Sequence, residues 1–194
     1  KKQQALSARV LHEIPVGELA ALIRPAGYFN VKARRLKSFI NFLMRDYHGS
    51  MKRMKIGESP QLREKLLTVN GIGPETADSI LLYALEKPLF VIDAYTKRVL
   101  SRHRILDDNS SYDEFQSFFQ GTLKQDEKLF NEYHALFVKL GIILFLLLYA
   151  LLANREMSLA AASTRIRLIV ALMGIIEISA VALVNYGLVI GDAI

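Results

Sequence analysis

The feature that most constrains this chain is a pair of glycines set as a turn between two stretches of helical periodicity. The segment reads Leu67-Thr68-Val69-Asn70-Gly71-Ile72-Gly73-Pro74-Glu75-Thr76-Ala77. Before it, Ser59-Pro60 reads as a cap and a first-turn proline, opening a helix that buries Leu62, Leu66 and Leu67. After it, Pro74 opens a second helix with Ala77, Ile80, Leu81 and Ala84 on one face. Glycines at the turn permit backbone angles closed to other residues and let a ligand approach the main chain. Ile72, between them, is expected to point inward and fix the turn. The second helix presents unpaired N–H groups and the positive end of its dipole, which suits a phosphate. Such a turn grips a nucleic-acid backbone without reading bases. A plain helix–helix connection with a glycine cap fits the same residues, so the glycines alone do not decide between the two.

Other segments carry the same helical period. Leu36, Phe39, Ile40, Leu43 and Tyr47 form one stripe, with Asn30 placed to cap its start. Asp93 caps a helix carrying Val99 and Leu100, and Leu129, Tyr133, Leu136, Phe137 and Leu140 form a last stripe. Only Pro88–Ile92 looks strand-like, and its position between helices predicts a packed connector. The expected class is all-α, a helical bundle followed by two apolar C-terminal helices. With 52% hydrophobic and 23% charged residues, the chain has ample means to build a core. It contains no cysteine, which removes disulfides, thiolate metal sites and cysteine nucleophiles.

Beyond the turn, two further motifs occur in order. Gly27-Tyr28-Phe29-Asn30-Val31-Lys32-Ala33 precedes a basic helix, and Val91-Ile92-Asp93-Ala94-Tyr95-Thr96-Lys97-Arg98-Val99-Leu100 follows, its aspartate 20 residues after Gly73. Together with the turn they resemble the endonuclease III superfamily of helix-hairpin-helix base-excision glycosylases, across residues 1–141. The resemblance implies a catalytic role for Asp93, activating water or stabilising the cationic sugar as the base departs. The simpler role of Asp93, a helix cap, is compatible with that one. It further implies DNA contacts from Asn70, Gly71, Ile72, Gly73, Glu75, Thr76 and Lys97. Members that also cut the strand carry a lysine where this chain has Glu75, and a carboxylate cannot form their Schiff base. A monofunctional glycosylase, leaving an abasic site in an intact strand, is therefore expected. The Gly-Ile-Gly-Pro-Glu-Thr-Ala-Asp hairpin looks most like the branch that removes alkylated purines such as 3-methyladenine. Tyr28, Phe29, Tyr83 and Tyr95 are candidates to line a pocket for a flipped base by stacking and cation–π attraction, although general burial habits favour a core role for each taken singly. Removal of mismatched adenine is the competing substrate class. Many members continue into a four-cysteine iron–sulfur loop, which this sequence cannot supply, so no cofactor is expected. Family members also carry helices ahead of the stretch matching residue 1, so the core is expected to be N-terminally incomplete.

Charge distribution supports a DNA partner. Lys32, Arg34, Arg35, Lys37, Arg45, Lys52, Arg53 and Lys55 face only Asp46 across residues 32–55. Lys97, Arg98, Arg102 and Arg104 form a second group. Phosphate binding and a solvated helix face are the two readings of each. His12, His48, His103 and His134 show no ligand spacing and read as structural or surface residues, with no metal site. Residues 142–194 carry three arginines and three acids, so the net charge of +6 lies wholly in 1–141. The tail is otherwise almost entirely apolar. Leu140–Ala153 is short for a membrane span, whereas Leu168–Ile190 exceeds the required length of about 20 but holds Glu177 near its middle. Length and composition favour a membrane hairpin over 140–190; a buried pair of helices is the alternative. No secretory signal is read at Lys1–Lys2, and a DNA-directed core implies the cytoplasm. A DNA-binding remnant without activity, and a membrane protein carrying a vestigial hairpin domain, remain the competing descriptions of the whole.

Overall fold

Side-chain caps open some of the helices and not others: Ser7, Ser50, Asp93 and Ser111 each accept from a backbone N–H three residues on, whereas Tyr28, Glu58 and Gly73 make no such bond. The computed structural model describes residues 7–153, with side chains described through residue 141. Nine α-helices and no strand occur among the described residues. The chain divides into two units, Lys1–Pro88 and Leu89–Ile194.

The first unit begins with α1 (Ala8–Glu13) and α2 (Val16–Leu22), joined by a short 3-10 turn at Arg24–Ala26 to α3 (Phe29–Tyr47). Leu19, Ala20 and Ala33 are buried where α2 meets α3, with Leu11, Ile14, Ile23, Phe29 and Leu36 packed around them. Lys37 on α3 donates to the carbonyls of Leu11, His12 and Ile14 at 2.8, 2.5 and 2.6 Å. Its ammonium thereby caps the C-terminal end of α1, where the dipole is negative. Asn30 is not the cap of α3. Gly27 and Tyr28 both take positive φ, at 62° and 46°, and the helix starts at Phe29 directly after this left-handed entry.

After α4 (Met51–Lys55), α5 (Ser59–Leu67) and α6 (Pro74–Ser79) flank the glycine turn. Ser59 lies inside α5 with Pro60 beside it, and Glu58 holds the cap position without a side-chain bond. Leu62 and Leu66 are buried as expected, whereas Leu67 is exposed. Arg63 on α5 and Asp78 on α6 form a bidentate pair, Nε to Oδ1 at 2.7 Å and Nη2 to Oδ2 at 3.2 Å. Asp78 is fully buried, so this fork holds the two helices at a fixed angle. Past Ser79 the helix widens into a π turn, Ile80–Ala84, closed by the Leu85 N–H on the Ile80 carbonyl. The extra residue per turn rotates the apolar face. Leu81 stays buried, Leu82 and Leu85 turn inward, and Ala84, expected on the buried face, is exposed.

In the second unit, residues 89–92 run without regular structure into α7 (Ala94–Arg102), followed by α8 (Tyr112–Thr122) and α9 (Glu127–Ala153). The strand-like composition of 88–92 serves burial: Phe90, Val91 and Ile92 are at most 1% exposed. Its backbone groups must still be satisfied, and side chains of α8 do this. Gln116 donates to the Phe90 carbonyl at 2.7 Å, and the Phe90 N–H donates to Gln120 at 3.2 Å. The Ile92 N–H donates to the Tyr112 hydroxyl at 3.3 Å. Phe90 stacks on Phe119 with centroids 3.8 Å apart and meets Phe130 edge-on at 5.3 Å.

On α9 the buried face is Phe130, His134, Phe137, Leu140 and Gly141. Of the expected stripe, Phe137 and Leu140 are buried, whereas Leu129 and Tyr133 are half-buried and Leu136 is exposed. The composition boundary near Gly141 falls within α9, which continues to Ala153. Among the described residues, no helix is long and apolar enough to cross a membrane. The apolar stretch Leu168–Ile190, and with it most of the expected membrane hairpin, lies outside them.

Candidate active site and nucleic-acid interface

The turn between α5 and α6 gives its two glycines different work. Gly71 has φ +87°, and a Cβ there would overlap the Arg35 Cγ and stand 2.7 Å from its Cδ. Both the backbone angle and the stem of Arg35 therefore require glycine. Gly73 has ordinary extended angles, φ −97° and ψ 179°, and caps α6 without a side-chain bond. A Cβ on Gly73 would meet nothing within 4 Å. The fold therefore makes no demand for glycine at 73, unlike at 71. Ile72 is buried, 9% exposed, as its place in the turn predicts. Asn70, Glu75 and Thr76 are exposed, Glu75 in the first turn of α6, where an acid complements the dipole.

Asn70 also borders an open groove of roughly 600 Å³ against α3, shared with Arg34, Arg35, Ser38 and Asn41. The long basic group of the sequence is thus partly structural. Lys37 is occupied by α1, Lys32 donates to the Ala26 carbonyl, Lys55 pairs with Glu86 and Arg45 with Asp46. Arg34, Arg35, Lys52 and Arg53 are exposed.

In the second unit, Asp93 sits where the connector enters α7. Its Oδ1 accepts from the Thr96 N–H at 2.7 Å and from the Thr96 hydroxyl at 2.8 Å. The other oxygen, Oδ2, faces His134 Nε2 on α9 at 3.5 Å, and both side chains are 11% exposed. Burial pushes the Asp93 carboxyl up, but the facing His134 imidazole and the two Thr96 donors outweigh it and hold the group below its ordinary value. The result is a shielded carboxylate that stays ionised. His134 was missed from the sequence, because no local spacing links a residue on α9 to one on α7.

The aromatic candidates occupy different settings. Tyr28 is 87% exposed in its left-handed position. Phe29 packs on the α2–α3 core with the Arg24 guanidinium 5.9 Å from its ring centre. Tyr83 is exposed within the π turn. Tyr95 is half-buried over Gly141, where a Cβ would come 2.6 Å from the Tyr95 Cε1, and Arg98 lies 5.7 Å from its ring centre. Lys97 is half-buried with its ammonium 5.1 Å from the centre of the Phe115 ring. No group of three His, Asp or Glu side chains fit to hold a metal occurs among the described residues. The sequence supplies no thiolate for an iron–sulfur cluster.

A helical fold with a glycine hairpin and a downstream capped aspartate defines a class, the helix-hairpin-helix base-excision proteins. The chain belongs to the HhH-GPD superfamily of base excision DNA repair proteins, whose family model matches residues 2–125. It is 41% identical over 140 residues to a candidate DNA repair glycosylase of Methanocaldococcus jannaschii, covering 72% of this chain and 64% of that one. It is 32% identical to endonuclease III of Sulfolobus acidocaldarius over 59% of this chain and 48% of the relative. Among solved structures, a Helicobacter pylori 3-methyladenine DNA glycosylase bound to 1,N6-ethenoadenine matches with TM-score 0.52 and 34% identity, over 59% of this chain and 50% of that one. A non-covalent endonuclease III–DNA complex shares the fold, with TM-score 0.53 at 23% identity, over 65% of this chain and 56% of that one. The chain thus spans about half to two thirds of the length of these relatives.

Proposed function

We propose that the protein hydrolyses the N-glycosidic bond of damaged, alkylated purines in duplex DNA and leaves the strand intact. The observation that carries this reading is the state of Asp93, a buried carboxylate fixed by two Thr96 donors and kept ionised. Such a group serves a reaction that builds positive charge on a sugar. In the proposed step, water oxygen bonds to C1′ as the C1′–N bond breaks. The electron pair of that bond leaves with the base, and the water proton passes to Asp93. An alkylated purine is already cationic, so its departure needs little acid help. Asn70 and the Gly71–Thr76 segment bind the DNA backbone in this reading, with Lys97 a further contact. Tyr28, Phe29, Tyr83 and Tyr95 are the proposed base-stacking residues, of which Tyr28 and Tyr83 are exposed. Glu75, standing where strand-cutting relatives carry lysine, supports base removal alone. No cofactor takes part. Preference for alkylated purines draws on likeness to the 3-methyladenine glycosylase. The DNA substrate makes the cytoplasm the proposed site of action.

The test is incubation with alkylated duplex DNA, followed by alkali. Breaks that form only after alkali, and disappear in Asp93→Asn, are expected. Breaks without alkali would contradict the role given to Glu75. Activity confined to mismatched adenine would move the substrate class, and an inert protein would leave DNA binding alone.

A further inference from the structure

We propose that His134 is a positioning residue for Asp93, fixing the plane in which the carboxylate meets water or the sugar. The proposal rests on the reading of Asp93 as the catalytic group. Both donors from Thr96 fall on one oxygen, Oδ1. A carboxylate held at one oxygen can still turn about that point and swing the other. Oδ2 is the oxygen left to react, and its neighbour is His134 Nε2 at 3.5 Å. An N–H at that nitrogen gives the carboxylate a second anchoring point.

The imidazole is itself held. It lies on the buried face of α9 between Phe130 and Phe137, about two turns from Gly141. At Gly141 the Tyr95 ring of α7 lies so close that no methyl group would fit. Tyr95 is two residues from Asp93, so the same pair of helices that carries the carboxylate and the imidazole is locked at close range. His134 therefore does not need to touch substrate to matter. It acts through the orientation of Asp93, and misplacement by a fraction of an ångström is costly when a group must meet a reacting atom.

The experiment compares His134→Leu, which keeps volume and removes the donor, with His134→Gln, which restores an N–H at similar reach. Single-turnover excision on alkylated duplex, duplex affinity, thermal unfolding and the ¹³C-carboxyl titration of Asp93 are measured in the full chain. The leucine variant is expected to slow excision roughly tenfold to hundredfold, with duplex Kd unchanged to within about threefold. Its Asp93 should titrate at higher pH than in the parent, because a stabilising donor is gone. Glutamine should recover excision to within about fivefold of the parent and return the titration toward its original position. Equal loss in both variants despite retained folding, or an unmoved Asp93 titration in the leucine variant, would overturn the proposal. Should the parent prove inactive on every duplex, the excision reading fails by itself, while the titration still decides whether His134 governs Asp93.

Discussion

Replacing the two hairpin glycines one at a time separates what the fold demands from what a ligand demands. In Gly71→Ala the new residue must hold φ +87°, a left-handed position that costs an L-residue about 1–2 kcal/mol. Its methyl group also overlaps the Arg35 stem close to the α3 backbone, with the Arg35 Cβ only 3.0 Å away. Rotation of a distant side-chain end cannot relieve that clash, and displacing the stem adds roughly 1 kcal/mol of strain. The expected destabilisation is about 2–3 kcal/mol, read as a reduced urea midpoint with unchanged slope. Gly73→Ala meets nothing and keeps ordinary angles. Alanine is the poorer helix cap by up to about 1 kcal/mol, while it gains about 0.4–1 kcal/mol by restricting the unfolded chain. The net change is expected to be near zero. Duplex affinity, followed by fluorescence anisotropy, should nevertheless fall about tenfold or more, because the methyl occupies the space in which a phosphate would approach the α6 N–H groups. Equal stability loss in the two variants would refute the division of labour, and full duplex affinity in a well-folded Gly73→Ala would refute the ligand half of it.

Three other outcomes follow from the same geometry. Asp93→Asn should retain the cap on Thr96 and cost stability only through the lost charge. The folded carboxyl lies below its ordinary value of 3.8, so its contribution is complete well above that pH and vanishes as pH falls through the lower folded value. The stability gap between parent and Asn variant, measured by urea at a series of pH values, should be constant near neutrality and close in acid; a gap widening in acid would contradict the sign. Arg63→Ala removes both bonds of the fork from buried Asp78 and should lower stability by about 3 kcal/mol in equilibrium unfolding, with Asp78→Ala milder because the remaining arginine reaches water. Gln116→Leu strands the Phe90 carbonyl and should cost about 1–3 kcal/mol, a loss that a calorimetric melt would register.

Local chemistry made much of the fold legible. The hairpin glycines, the proline opening α6, the Asp93 cap and the packed connector are each written in a few neighbouring residues. What escaped was phase and distance. The π turn at Ile80–Ala84 shifts the buried face of its helix, and nothing in the sequence period announces an inserted residue. On α9 an apolar run surrounds the true face, so Leu136 and Phe137 look interchangeable until packing selects one. Asn30 and Ser59 have good capping chemistry, but the left-handed entry at Tyr28 and the cap position of Glu58 set the helix starts instead. For the site, Asp93 was readable and His134 was not, since their meeting depends on how α7 and α9 pack. The basic run on α3 looked uniform, yet Lys37 is committed to carbonyls more than twenty residues upstream.

The clasp that α8 places on the connector has a consequence in time. The main-chain groups of Phe90 are held by Gln116 and Gln120, separated from them by 26 and 30 residues. At about 5–20 residues per second, a ribosome finishes Phe90 some seconds before it has made the side chains that hold it. Through that interval the main-chain groups of Phe90 lack the side chains that hold them in the folded protein. The setting of the aspartate is therefore a late acquisition of the nascent chain, completed only when α8 arrives.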